Sequence, residues 1–75
     1  MSRLQRPVES VENFEKISTG MSKVQVEELI GKPTRVESGQ MLGIEGTTYY
    51  YATRKAEVKV VFVNDSVISK DGNFK

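Results

Sequence analysis

Hydrophobic residues follow two different periods along this chain, and the change comes at Pro33. Before it they recur every three or four positions. Val11, Phe14 and Ile17 share one helical face behind Ser10, a good cap, with Glu12 favourably placed in the first turn. The spacing predicts a helix over about residues 10–17, too short to persist unless Phe14 and Ile17 pack on something. A second helix, over residues 22–30, is specified from end to end. Ser22 and Gln25 form a capping box, and Met21 and Val26 suit a hydrophobic staple. Val26, Leu29 and Ile30 make an apolar stripe, with Lys23, Glu27 and Glu28 mostly on the wet side. Gly31 stops the helix by entering the left-handed region, and Pro33 keeps it from resuming.

After Pro33 the pattern alternates. Residues 34–38 fit a short edge strand, and Gly39, Gly43 and Gly46 mark a flexible or tightly turned connection. Met41, Leu42 and Ile44 are too apolar for a plain solvated loop. They either cover the end of the core or contact another chain. Residues 47–53 are rich in strand formers. Thr47, Tyr49, Tyr51 and Thr53 point one way, Thr48, Tyr50 and Ala52 the other, and the alternation does not say which side is buried. Residues 57–63 form the firmest strand, with Val58, Val60 and Phe62 inward and Glu57, Lys59, Val61 and Val63 outward. Asn64-Asp65 suits a two-residue turn with left-handed backbone angles. That turn sets Val63 against Ser66 and Phe62 against Val67, and places Ile68 outward near Val61.

These elements predict an α+β domain. Two short N-terminal helices pack on one face of a three- to four-stranded antiparallel sheet, and the other face stays open. The predicted core is Phe14, Ile17, Met21, Val26, Leu29, Ile30, Val58, Val60, Phe62 and Val67, with one or two tyrosines. Residues 1–9 read as a loose tail, 10–70 as the domain and 71–75 as a frayed end.

Composition narrows the chemistry. With 75 residues the chain makes one small domain that buries only about 60% of its unfolded surface, leaving little apolar area for a deep pocket. It has no cysteine and no histidine, so no disulfide and no thiolate or imidazole metal site; no metal and no cofactor is expected. Eleven Lys plus Arg against ten Asp plus Glu give a formal charge of +1, which argues against a dedicated nucleic-acid binder. Tyr49, Tyr50 and Tyr51 beside Arg35, Arg54, Lys55 and Lys59 would suit a single-stranded nucleic acid, but Glu37, Glu45 and Glu57 dilute that field. No apolar run nears the roughly 20 residues of a membrane span, and the N-terminus lacks the hydrophobic core of a secretion signal. That reading makes the chain cytoplasmic as it stands, and extracytoplasmic if a signal segment has been removed. Glu27 and Glu28 do not converge on a helix, Ser22 is occupied by capping, and no nucleophile–base spacing stands out, so no enzyme is expected.

The order of motifs resembles a known group. Phe14-x-x-Ile17, Gly20-Met21-Ser22 leading into Val26-x-x-Leu29-Ile30-Gly31-Lys32-Pro33, Tyr49-Tyr50-Tyr51, and Val60-x-Phe62-x-Asn64-Asp65-x-Val67 carry the resemblance. It points to the domain of the SmpA/OmlA outer-membrane lipoproteins and equally to the repeat unit of the β-lactamase inhibitor protein, over roughly residues 14–69. The resemblance implies an α-α-β-β-β unit with Ser22, Gly31 and Pro33 bracketing the second helix, and with Asn64-Asp65 on the usual Asn-Gly hairpin. It implies binding tasks of differing kinds, with β-lactamase inhibition or an accessory role in envelope assembly as the alternative function. One unit is present where the inhibitor has two, and no lipobox cysteine is present.

The expected role is therefore a non-enzymatic interaction module, contacting a protein partner or a second copy through the open face or edge of its sheet. Its candidate contacts are Met41, Leu42, Ile44, Tyr49, Tyr50, Tyr51, Val61, Val63 and Ile68.

Overall fold

The computed structural model describes residues 6–75. Within the expected tail, residues 1–5 lie outside the described residues. Pro7–Glu9 instead forms a 3-10 turn that buries Val8 in the core. Helix α1 spans Val11–Glu15, shorter than the period suggests, with Ser10 Oγ accepting from the Asn13 amide. Val11 is exposed, while Phe14 and Ile17 reach the core. Helix α2 spans Lys23–Ile30 and carries the full capping box between Ser22 and Gln25. Gly31 ends it at φ 85°, ψ −174°. This is not the left-handed helical well but an extended region essentially reserved for glycine.

Four antiparallel strands follow in sequence order: β1 Arg35–Met41, β2 Ile44–Ala52, β3 Ala56–Val63 and β4 Ser66–Phe74. The helices cover one face of this sheet, as the sequence predicts. The core joins Val8, Ile17, Val26 and Ile30 to Tyr49, Tyr51, Ala56, Val58, Val60, Phe62 and Val67, with Phe14, Met21, Leu29 and Phe74 packed against it.

Three features of the strands differ from expectation. The connection expected over residues 39–46 is a continuous hairpin. Met41 pairs with Ile44, and Leu42 (φ 54°) and Gly43 (φ 80°) make a two-residue turn. This is the geometry that Asn-Gly usually supplies, so leucine at the first position hides it. The expected fraying of residues 71–75 is corrected as well, since β4 stays paired as far as Phe74, opposite Ala56. Third, Phe62 lies opposite Val67 and Val63 opposite Ser66, but Val61 then pairs with Ser69. Ile68 is the extra residue of a bulge, which reverses the alternation of β4. Lys70, Gly72 and Phe74 thus come to the helix side. There the Phe14 and Phe74 rings meet edge to face, 5.3 Å between centroids. A Cβ on Gly72 would lie 2.9 Å from both rings, so the glycine makes room for them. Lys70 Nζ donates to the Phe14 carbonyl at 2.8 Å near the end of α1.

The Asn64-Asp65 turn has φ of 49° and 69° and does more than reverse the chain. Asp65 Oδ1 accepts from the Lys23 amide at 2.9 Å, satisfying another first-turn donor of α2, and Asn64 Oδ1 accepts from the Glu45 amide at 2.9 Å. A glycine at position 65 would lack that cap.

Candidate interaction surface

The antiparallel register places Arg35, Tyr50, Lys59 and Asp71 in one row across the uncovered face. Glu37, Thr48, Val61 and Ser69 form the next row, and Gly39, Gly46, Val63 and Ser66 the one after. The paired Met41 and Ile44 close the face beside the turn. Four of the apolar candidates are well exposed: Leu42 at 95%, Met41 at 75%, Ile44 at 53% and Ile68 at 52%. Val61 and Val63 are half-buried. Glycines at 39 and 46 leave a bare stretch of backbone between Met41–Ile44 and the Glu37–Thr48 row, with open space above both.

The three tyrosines separate. Tyr49 and Tyr51 are the core tyrosines that the alternation left unassigned, and they drop out of the candidate contacts. Tyr49 packs edge to face on Phe62 at 4.8 Å and donates its hydroxyl to Glu27 at 2.5 Å. Tyr51 donates to the Gly31 carbonyl at 2.7 Å, across the end of α2. Burial, then the carboxylate of Glu27, pushes both phenols well above their usual range, so both remain protonated donors. Only Tyr50 faces outward. The Arg35 guanidinium lies 4.1 Å from its ring centroid, and its hydroxyl donates to Glu37 at 3.3 Å. Arg35 also pairs with Glu37. Of this Arg35–Tyr50–Glu37 group the sequence offers only Tyr50 as a protein contact, and names Arg35 and Glu37 only as charges around the tyrosines. Its signal is the alternation of Arg35 and Glu37 along a strand paired with the tyrosine strand. One tyrosine is outward, with its face held by arginine, so the three rings do not share an exposed surface.

Among the described residues no group of carboxylates is arranged to hold a metal ion, and no helix is long and apolar enough to cross a membrane.

Comparison with known proteins bears on this architecture in three ways. No curated protein matches the chain. A solved Streptococcus mutans protein, described as a candidate beta-lactamase inhibitor protein, superposes with a TM-score of 0.78 at 17% identity. That match covers 96% of this chain and 48% of the other, so the chain spans about half the length of the protein it resembles. At that identity the likeness concerns the fold. The family model for the beta-lactamase inhibitor (BLIP) matches residues 10–74, nearly the whole described domain and the inhibitor branch of the resemblance rather than the lipoprotein branch. With two helices on one side of a four-stranded antiparallel sheet and that match running from α1 to the end of β4, the chain belongs to the beta-lactamase inhibitor (BLIP) family.

Proposed function

We propose that this chain is a non-enzymatic, inhibitor-like module that binds a folded protein through the open face of its sheet and the β1–β2 hairpin. The observation that carries this reading is the hairpin tip. Met41, Leu42 and Ile44 stand exposed together at the end of a ribbon that no helix covers, and Leu42 holds a backbone conformation that leucine disfavours. Such an arrangement has no purpose in the core and suits insertion into a partner's cleft. Ile68, Val61 and Val63 continue the apolar area across the face, and Tyr50 with Arg35 and Glu37 supplies a polar and aromatic rim.

The family's description makes a β-lactamase the first partner to test. Purified β-lactamases are titrated with the chain while substrate hydrolysis is followed, and binding is measured in parallel by calorimetry. Saturable binding is expected, weakened at least about tenfold by Ile44→Lys with Ile68→Glu, since both side chains would be desolvated beside a partner. Circular dichroism of the variant should match the parent. No binding to any β-lactamase would remove that enzyme class as the partner. Binding indifferent to the double substitution would remove this face as the site.

A further inference from the structure

The two edges of the sheet are guarded unequally. Along β4 the bulge at Ile68 breaks the ladder, and Lys70 and Asp71 follow it. The loop before α2 covers Val67 as well: the Gly20 amide donates to the Val67 carbonyl and the Val67 amide to the Met21 carbonyl, both at 2.9 Å. These are recognised ways of blunting an edge. Among the described residues strand β1 has no bulge and no covering loop, and its two charged residues, Arg35 and Glu37, are of opposite sign. Its seven residues are all exposed, with no proline and no lysine.

The direction of its backbone groups follows from the next two strands. The Asn64 amide donates to the Glu45 carbonyl, so Glu45 faces β3 and Gly46 faces β1. Antiparallel alternation then turns Arg35, Glu37 and Gly39 toward β2 and leaves the N–H and C=O of Val36 and Ser38 facing the free edge. A row of this kind is a template for another strand.

The side chains say which strand. Arg35-Val36-Glu37 reads as positive, apolar, negative, and an antiparallel copy presents the same series reversed. We infer that two copies of this chain join edge to edge through β1, antiparallel about a twofold axis at Val36, to make one eight-stranded sheet. Arg35 then lies opposite the second copy's Glu37, Glu37 opposite its Arg35, and the two Val36 residues exchange both backbone hydrogen bonds. Val36, half exposed on the helix side, gains an apolar neighbour. The adjacent registers are poorer. An axis at Glu37 opposes two carboxylates, and an axis at Ser38 sets Arg35 against Met41 and Glu37 against Gly39. The contact is short, well under the roughly 800 Å² per side of a standard interface, so the dimer is weak and reversible. It uses the edge of β1 and shares Arg35 and Glu37 with the rim proposed above, while Ile44 and Ile68, the residues tested there, take no part in it.

Sedimentation velocity of the intact chain from micromolar to about 1 mM tests this. The parent should show a concentration-dependent monomer–dimer equilibrium. Arg35→Glu opposes carboxylates across the axis, and Glu37→Arg opposes guanidinium groups. Each alone should weaken dimerisation at least about tenfold. Mixing the two variants should restore a one-to-one heterodimer, because each then meets its complement. The pair inside each chain stays broken in the mixture, so recovery cannot come from the monomer. Val36→Pro removes an edge-facing N–H that the ladder to β2 does not use, and should abolish the dimer while circular dichroism is unchanged. A parent that is monomeric throughout, single charge variants that dimerise like the parent, or a mixture without recovery would each overturn the proposal.

Discussion

Tyr51 donates to the Gly31 carbonyl and Tyr49 to Glu27, so both hydroxyls tie β2 to helix α2 from beneath it. Their burial gives a pH dependence with a definite sign. In the folded chain both phenols are held protonated well beyond the pKa of about 10 that they have when unfolded. Below that pH neither state ionises and the contribution is fully present. Above it the unfolded chain loses protons first, and stability falls as pH rises toward the folded values. Urea midpoints should therefore hold between neutrality and about pH 9 and drop steeply beyond about pH 10. Tyr49→Phe with Tyr51→Phe should flatten that drop, and Tyr51→Phe alone should cost about 1 kcal/mol at neutral pH by leaving the Gly31 carbonyl unpaired. An equally steep alkaline drop in the double variant would assign it to other groups. None of this was legible in Tyr49-Tyr50-Tyr51 itself. Each side of that strand offers tyrosine and a small residue, and what decides is the register with Val58, Val60 and Phe62, which a single strand does not carry.

Helix α2 was legible because its signals are local: Ser22, Gln25, Gly31 and Pro33 act on their own neighbours. Two tests follow at this scale. Ser22→Ala should cost about 1 kcal/mol in a denaturant melt, with Asp65 still holding the Lys23 amide. Gly31→Val should cost more, because φ 85° with ψ −174° excludes a β-branched side chain. Unchanged midpoints for both would mean that the bracket contributes nothing to stability. Strand β4 was harder to read. Asp71-Gly72-Asn73 spells a turn by composition, yet Gly72 is there because the Phe14 and Phe74 rings occupy the space of its side chain. Such a contact joins residues far apart in sequence, as does the bulge at Ile68 that brings Phe74 to the right side. The same distinction applies to the open face. Ile68 was placed outward by parity from the Asn64-Asp65 turn, and it is outward, though on a bulge rather than beside Val61 in a regular ladder.

The described residues measure 49 × 20 × 19 Å. The helices pack over β2, β3 and β4, and every residue of β1 is exposed. An arm supported on one side only should open more easily than the centre of the sheet. Amides of residues 37–46 should accordingly exchange faster than those of β3. At its tip Leu42 sits at φ 54°, where leucine is disfavoured and asparagine is readily accommodated. Leu42→Asn should thus stabilise the free chain by about 0.5–1 kcal/mol, through the preference of Asn-Gly for this turn. It should also weaken partner binding, because it removes the most exposed apolar side chain among those described. The opposition of these two effects is what separates a binding element from a structural one. Urea melts and partner titration on the same preparation measure both. A variant that is more stable and binds as tightly as the parent would show that the leucine is not a contact. One that is less stable would show that the side chain packs on the fold after all.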